Sequence, residues 1–571
     1  MMVEASAGWN SLPQMMLEIA SKRPERPMSR FWQDGGWRQV TWGEFGNRVA
    51  AVAAGLRAAG VGPGERVLLV SENRPEFVIA DTALMAIGAV TVPTYTTNAA
   101  TDHAHILRDS GARVAIVSTS AFARRVLEGA ALADGLDLLI GMEDAPVEGA
   151  PRQIAWATLE ATPASLDALM AEVEQIPTGR LACLVYTSGT GGLPRGVMLP
   201  HRAMLANREG VARIANRLEL DGKAYLSFLP LSHSYEHTVG GFLLPSLGLE
   251  VVYSRGADRL AVEFQEIRPA VITAVPRLFE LLRGRIEGAV EKEGGFKEKL
   301  FRRALALGLK RLDGPDFGLF DRLQHLVLDK LVGEKVRARF GGHLQALVSG
   351  GARLDPDLSG FFLAFGLPVI QGYGQTEAGP VISVNPPWAN RRETVGPPLP
   401  GVEMRLAEDG ELCVRGALVM DGYWNDPENT ARALIDGWLH TGDVAEIEDG
   451  YIRITDRKRD FIKTLGGDMV SPSKIEALLT AEPEIAQAVV AGEGQPGIVA
   501  LIVPAEGMAE RVPAAVARVN GKLATIERIR RHAVVPAFSV ENGQMTPTMK
   551  VKRRVVVGAH TELLYGLHKK G

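Results

Sequence analysis

The sequence holds 571 residues, 46% hydrophobic and 23% charged, enough apolar material for large buried cores and about three to five structural units. Its formal net charge of −4 leaves no bulk positive field for a nucleic-acid backbone or an anionic membrane, so nucleic acid is not an expected partner. The two cysteines, Cys183 and Cys413, lie in apolar runs with no Cys or His at metal-ligand spacing, which argues against a zinc site or a disulfide framework and suits a reducing cytosol.

Residues Met1 to Gly8 carry an acidic residue and neither a basic n-region nor an apolar h-region, so no secretory signal is expected. From Trp42 to Val117 the pattern alternates. Phe45 to Ala59 is helix-periodic, Arg66 to Val70 is a short apolar strand, and Pro75 to Ile87 is helical again. Val114 to Ser118 and Leu181 to Tyr186 read as buried parallel strands. The apolar stretch Gly240 to Tyr253 is interrupted by glycine and Pro245 and falls short of the ~20 residues of a spanning helix. The protein is therefore expected to be cytoplasmic, soluble or peripheral at the inner membrane surface, with a homodimer left open.

Between Glu280 and Phe340 the sequence is helix-rich and charged, with Arg302, Arg303, Lys310 and Arg311 near one another. We read this as a solvated helical face in preference to a membrane-contact surface. From Pro400 the grammar turns to β-hairpins, around Asp409-Gly410 and Asp449-Gly450, with Asp426-Pro427 as a helix start between them. The charged run Asp456 to Asp460 has little apolar surface to pack and marks a boundary, beyond which the chain reads as a smaller α+β unit.

The chemistry concentrates in a few segments. Tyr186-Thr187-Ser188-Gly189-Thr190-Gly191-Gly192-Leu193-Pro194-Arg195-Gly196-Val197 follows a buried strand. Its glycines let backbone N–H groups turn toward an anion, its hydroxyls add donors, and Arg195 opposes phosphate charge. A Walker A loop ends in Gly-Lys-Ser/Thr, and this loop does not. The stretch resembles the Thr/Ser/Gly-rich signature of the adenylate-forming superfamily, which includes acyl-CoA synthetases, luciferases and adenylation domains of peptide synthetases. Gly191 stands where that family has Thr or Ser, and Arg195 where it has Lys.

Further segments follow the family's order. Gln371-Gly372-Tyr373-Gly374-Gln375-Thr376-Glu377 resembles the segment whose tyrosine packs on adenine, whose threonine meets the α-phosphate and whose glutamate, together with Thr187, holds Mg²⁺. Ser349-Gly350-Gly351-Ala352 is similar to the loop over the other adenine face, and Trp438 to Asp443 to the motif whose aspartate accepts from the ribose hydroxyls. Thr455 to Lys463 is similar to the interdomain hinge. By that likeness Arg457 meets the ribose, Arg459 or its neighbour absorbs a rotation, and Lys463 is a catalytic candidate. Thr464-Leu465-Gly466-Gly467-Asp468 resembles the hairpin that swings toward the pantetheine channel, and Met545 to Lys552 resembles the terminal motif, giving Lys550 the bridging role in adenylation. Phe228-Leu229-Pro230-Leu231-Ser232-His233-Ser234-Tyr235-Glu236 and Val275 to Glu280 are similar to long-chain acyl-CoA synthetases, placing His233 beside the reacting carboxylate.

The resemblance implies an α/β fold class: a large multi-layer N-terminal domain over 1–455, with two α/β subdomains and a β-rich subdomain from about 395. A hinge at 456–460 and a smaller mobile α+β domain over 461–571 complete it. It implies an acid–thiol ligase with ATP, Mg²⁺, coenzyme A and a fatty acid as its small molecules. Two rival readings are a fatty acyl-AMP ligase serving a carrier protein, and a non-catalytic acyl- or nucleotide-binding regulator suggested by Gly191 and Arg195.

Overall fold

The computed structural model describes residues 8–143, 147–187, 193–314, 317–458, 462–466, 469–546 and 550–569. Ser188, Gly189, Thr190, Gly191, Gly192, Arg459 and Gly467 lie outside these residues. The chain divides into two compact units. One takes Met1–Met404, Val414–His440 and Asp449–Ile452, and the other Arg405–Cys413, Thr441–Glu448 and Arg453–Gly571.

The first unit contains two eight-stranded sheets. In one, Leu181–Thr187, Val90–Pro93, Arg66–Val70, Val114–Val117, Leu138–Gly141 and Arg152–Ala155 lie side by side and parallel. Arg195–Pro200 and then Gly422–Tyr423 extend it antiparallel beyond Leu181–Thr187. Parallel pairing needs crossovers, and the sequence supplies them as helices such as Pro75–Ala86, between Arg66–Val70 and Val90–Pro93. That helix is apolar on nearly every face and is buried along its whole length. Its Glu76 is accommodated there because Arg48 and Arg74 reach its carboxylate at 2.9 and 2.8 Å. The helix Trp42–Ala59 begins in a capping box, with Thr41 N donating to Glu44 Oε2 at 2.7 Å and Glu44 N to Thr41 Oγ1 at 3.2 Å.

In the second sheet the parallel strands are Val369–Gly374, Ala346–Ser349, Val271–Ala274, Ala224–Ser227, Glu250–Tyr253 and Pro27–Gln33, with antiparallel Val381–Val384 and Gly36–Thr41 at the two edges. Its main core is phenylalanine-rich: Phe264, Phe279, Phe340, Phe361, Phe362 and Phe365 interlock, largely edge to face. The apolar stretch expected from Gly240 to Tyr253 ends in the buried strand Glu250–Tyr253, and among the described residues no helix is long and apolar enough to cross a membrane. Cys183 and Cys413 are both buried.

The second unit is built on a three-stranded sheet, with Ile498–Pro504 between antiparallel Ile485–Ala491 and parallel Ile529–Val534. Strand alternation sorts its side chains. Ile498, Ala500 and Ile502 pack under the helices Pro472–Thr480 and Val512–Gly521, while Val499, Leu501 and Val503 pack with Val556 and Leu564 of the last two helices. Each such aliphatic side chain taken from water contributes roughly 1.5–3 kcal/mol, so both faces of this sheet have a core of their own.

Candidate active site

The strands Leu181–Thr187 and Arg195–Pro200 pair antiparallel with Tyr186 opposite Gly196 and Thr187 opposite Arg195, so Arg195 stands beside Thr187 where the two strands meet the glycine-rich segment. The residues on either side of that segment are held in place. Tyr186 Oη donates to Asp109 Oδ2 at 2.6 Å, His105 Nε2 lies 2.7 Å from the Pro194 carbonyl, and Trp424 N donates to Gly196 O at 2.7 Å. Burial, then the bond to Asp109, holds the Tyr186 phenol far above its usual range, so it stays a neutral donor.

Beside those two strands, Gly422–Tyr423 pairs with Met198 and Val197 and brings three charged groups together. The Arg195 guanidinium lies 5.6 Å over the Tyr423 ring, and its Nε is 3.5 Å from Asp426 Oδ2. Tyr423 Oη donates to Glu377 Oε1 at 2.8 Å, and Met420 N donates to the Glu377 carbonyl at 3.0 Å. One cation therefore faces two carboxylates, an arrangement that repels a polyphosphate unless a divalent cation joins it. The donor set suits a hard ion: among the described residues Glu377 Oε2 and the Thr187 hydroxyl make no hydrogen bond, and both are oxygen ligands.

Thr376 and Glu377 sit in a single 3₁₀ turn after the strand Val369–Gly374. The chain can turn there because residue 374 is glycine: a Cβ would lie 1.9 Å from the Pro380 carbonyl oxygen. Asn207 holds the far side, donating to Ala378 O at 3.0 Å and accepting from Val381 N at 2.6 Å. Thr376 Oγ1 lies 2.8 Å from Ser234 Oγ, which links the turn to the acid-side segment. There His233 caps the short helix Ser234–Thr238, its Nδ1 accepting from Tyr235 N at 3.2 Å; that assignment puts the proton of a neutral ring on Nε2. Tyr235 packs on Gly350, whose missing side chain leaves room for the ring: a Cβ would lie 3.0 Å from Tyr235 Cε1. Gly351, in the left-handed region at φ +77°, and Ala352 are exposed next to it. Gln371 is buried, its carbonyl accepting from Asn385 N at 2.8 Å, and Gly372 and Tyr373 pair with Val384 and Ser383.

Behind this segment stands Glu236, fully buried. Tyr225 Oη and Ser227 Oγ donate to its Oε1 at 2.5 and 2.6 Å, and Thr273 Oγ1 donates to Oε2 at 2.9 Å. Burial pushes its acid up to about 7, against the pull of those three hydroxyls. Residues on the strands Ala224–Ser227 and Val271–Ala274 thus anchor the helix whose start carries His233 and Ser234.

The remaining candidates belong to the second unit. Asp443, nearly inaccessible, accepts from Arg457 Nε at 2.9 Å, and its own N–H donates to Thr441 Oγ1 at 3.1 Å. Gly442 N donates to Glu411 Oε1 at 2.8 Å and Lys458 Nζ to Glu411 Oε2 at 2.8 Å, so two buried acids hold the turn. Lys463 pairs with Met469, and its N–H donates to Glu493 Oε2 at 3.0 Å; Gly466 is exposed. Lys550 is exposed and bonds reciprocally with Thr546: Lys550 N donates to Thr546 Oγ1 at 3.0 Å and Thr546 N to Lys550 O at 2.8 Å.

Sequence reasoning singled out Arg195, Thr376 and Glu377, and it missed Tyr423, Ser234 and Glu236 as their supports. Asp426 was legible only as a helix cap, a role it also fills, accepting from Asn429 N at 3.1 Å. A tyrosine after glycine carries no chemical signal until folding sets it against Glu377.

The amino-terminal part matches the description "AMP-binding enzyme" over residues 17–424, and 459–569 matches "AMP-binding enzyme C-terminal domain". The chain is 34% identical to the long-chain-fatty-acid--CoA ligase FadD15 of Mycobacterium tuberculosis over 96% of its own length and 95% of that protein's. It is 29% identical to the peroxisomal long chain acyl-CoA synthetase 7 of Arabidopsis thaliana, over 91% and 80% of the two chains. The fold is like that of the anthranilate CoA ligase AuaEII solved with anthranoyl-AMP, with a TM-score of 0.73, 21% identity and coverage of 98% and 100%. It is also like the A-PCP didomain of the carboxylic acid reductase of Segniliparus rugosus solved with AMP, with a TM-score of 0.77, 20% identity and coverage of 100% and 83%. With matches running through both parts of the sequence, this chain belongs to the AMP-binding enzyme family.

Proposed function

We propose that the protein activates a long-chain fatty acid with ATP and passes the acyl group to coenzyme A. The observation that carries this reading is the Arg195, Tyr423, Glu377 and Thr376 cluster joined through Ser234 to His233, in a chain alike over nearly its full length to a long-chain-fatty-acid--CoA ligase. In the first half-reaction a carboxylate oxygen attacks the α-phosphorus, the bond to the β-phosphate breaks, and pyrophosphate leaves. Both partners are anionic, so the barrier is dominated by charge and alignment.

In this reading Arg195 and the loop Thr187, Ser188, Gly189, Thr190 and Gly192 take the phosphates, Thr376 the α-phosphate, and Tyr373 with Gly351 and Ala352 the adenine. Asp443 and Arg457 take the ribose, and His233 stands by the acid. Magnesium, when bound at Glu377 and Thr187, neutralises phosphate charge. Lys550 bridges carboxylate and α-phosphate. In the second half-reaction the thiol sulfur attacks the acyl carbon, the bond to AMP breaks and the thiol proton is released, with Gly466, Gly467 and Lys463 guiding the pantetheine arm. We place the working domains at 1–455 and 461–571 with the hinge at 456–460, and the protein in the cytoplasm.

A panel of acids of increasing length, read as coenzyme A-dependent AMP production, tests this. The reading expects turnover that favours long chains; AMP formed only with aryl or amino acids would overturn the acid class, and acyl-AMP accumulating regardless of coenzyme A would overturn the acceptor.

A further inference from the structure

We propose that the helix Leu319–Leu328 and the turn after it seat this protein on an anionic lipid surface. Six large apolar side chains there face solvent: Leu319 is 80% exposed, Phe320 71%, Leu323 65%, Leu326 67%, Val327 59% and Leu331 47%. At 100° per residue they share an arc of about 140°. The opposite side of the helix is already used, since Leu328 and Val332 pack into the phenylalanine-rich core. The helix thus has two apolar faces, and the fold covers one.

The charge around the outer face selects the occupant. Residues 295–339 carry eleven Lys and Arg against six Asp and Glu, a net +5 in a chain whose total is −4. Asp321 and Asp329 are engaged, by Lys310 and Arg337 at 2.7 Å each. Arg311, Arg322 and Lys330 are exposed and make no salt bridge among the described residues. Apolar side chains flanked by unpaired cations fit a lipid interface with negative headgroups. A second copy fits poorly, because a two-fold contact would set one basic rim against the other. The solvated face expected from Arg302, Arg303, Lys310 and Arg311 is present, but it borders an apolar stripe whose outward direction periodicity alone could not give.

The test is cosedimentation of the full chain with phosphatidylcholine vesicles, with and without about 30% phosphatidylglycerol. Wild type should partition at least about tenfold more strongly to the anionic vesicles, and added salt should weaken the preference. Leu323→Glu with Leu326→Glu should lower that partitioning at least about tenfold. Arg311→Glu with Arg322→Glu should reduce it to the neutral-vesicle level. Unchanged binding of the Leu323→Glu/Leu326→Glu protein would overturn the proposal. So would a wild type that ignores vesicles and forms dimers which this pair of substitutions dissociates. If the urea midpoint of that variant falls, Leu319→Ser with Val327→Ser repeats the comparison at positions more exposed on average.

Discussion

Replacing Glu236 by glutamine isolates the cost of a buried charge beside the acid-side segment. In the folded protein burial lifts this carboxyl from 4.5 to about 7, and that displacement is worth on the order of 3 kcal/mol. The sign follows from which state ionises first. Below the unfolded value both states are protonated and the group costs nothing. Between 4.5 and about 7 the unfolded chain ionises first, so stability falls as pH rises, and above the folded value the loss is complete and constant. Glutamine does not titrate; its carbonyl oxygen in the place of Oε1 still accepts from Tyr225 and Ser227, and its amide nitrogen in the place of Oε2 donates to Thr273 Oγ1 once that hydroxyl turns. The wild type should therefore lose stability relative to Glu236→Gln from pH 5 to pH 8, the gap moving by on the order of 3 kcal/mol. Urea midpoints followed by tryptophan fluorescence at several pH values in that window give the comparison. Parallel curves for the two proteins would refute the reasoning, whichever protein is the more stable.

Tyr423→Phe keeps the ring under Arg195 but removes the 2.8 Å bond to Glu377; it should raise the magnesium concentration for half-maximal pyrophosphate release several-fold, with stability lowered by only about 1 kcal/mol. Gly374→Ala forces a Cβ to within 1.9 Å of the Pro380 carbonyl and should cost on the order of 3 kcal/mol in unfolding measurements while weakening nucleotide binding. Asp443→Asn removes the buried anion that holds Arg457 at 2.9 Å; AMP titrated calorimetrically should bind at least about tenfold more weakly. Lys550→Ala should lose acid-dependent pyrophosphate release yet still form thioester from synthetic acyl-AMP and coenzyme A, and equal loss of both half-reactions would contradict the role given to this lysine.

Much of the fold was legible because burial is written directly into composition. Val67–Val70, within the strand Arg66–Val70, and Val114–Val117 are continuous apolar runs, as strands buried on both faces are. The hairpins around Asp409-Gly410 and Asp449-Gly450 announced themselves through their turn residues, and Asp449, Gly410 and Gly450 do take positive φ. What escaped reading depends on tertiary proximity. Ser234 meets Thr376 across 142 positions and Tyr423 meets Glu377 across 46, separations at which no local pattern signals a pair. The Leu319–Leu328 helix shows the complementary limit: periodicity reveals apolar faces, and only the packed core tells which one is left outside.

Exchange of radiolabelled pyrophosphate into ATP, measured without coenzyme A, bears on adenylation itself because it requires the acyl-AMP step to run in both directions. Exchange should depend on a long-chain acid and magnesium and vanish in Lys550→Ala. Label that fails to enter ATP with any acid offered, although the protein is folded and binds nucleotide, would contradict the account.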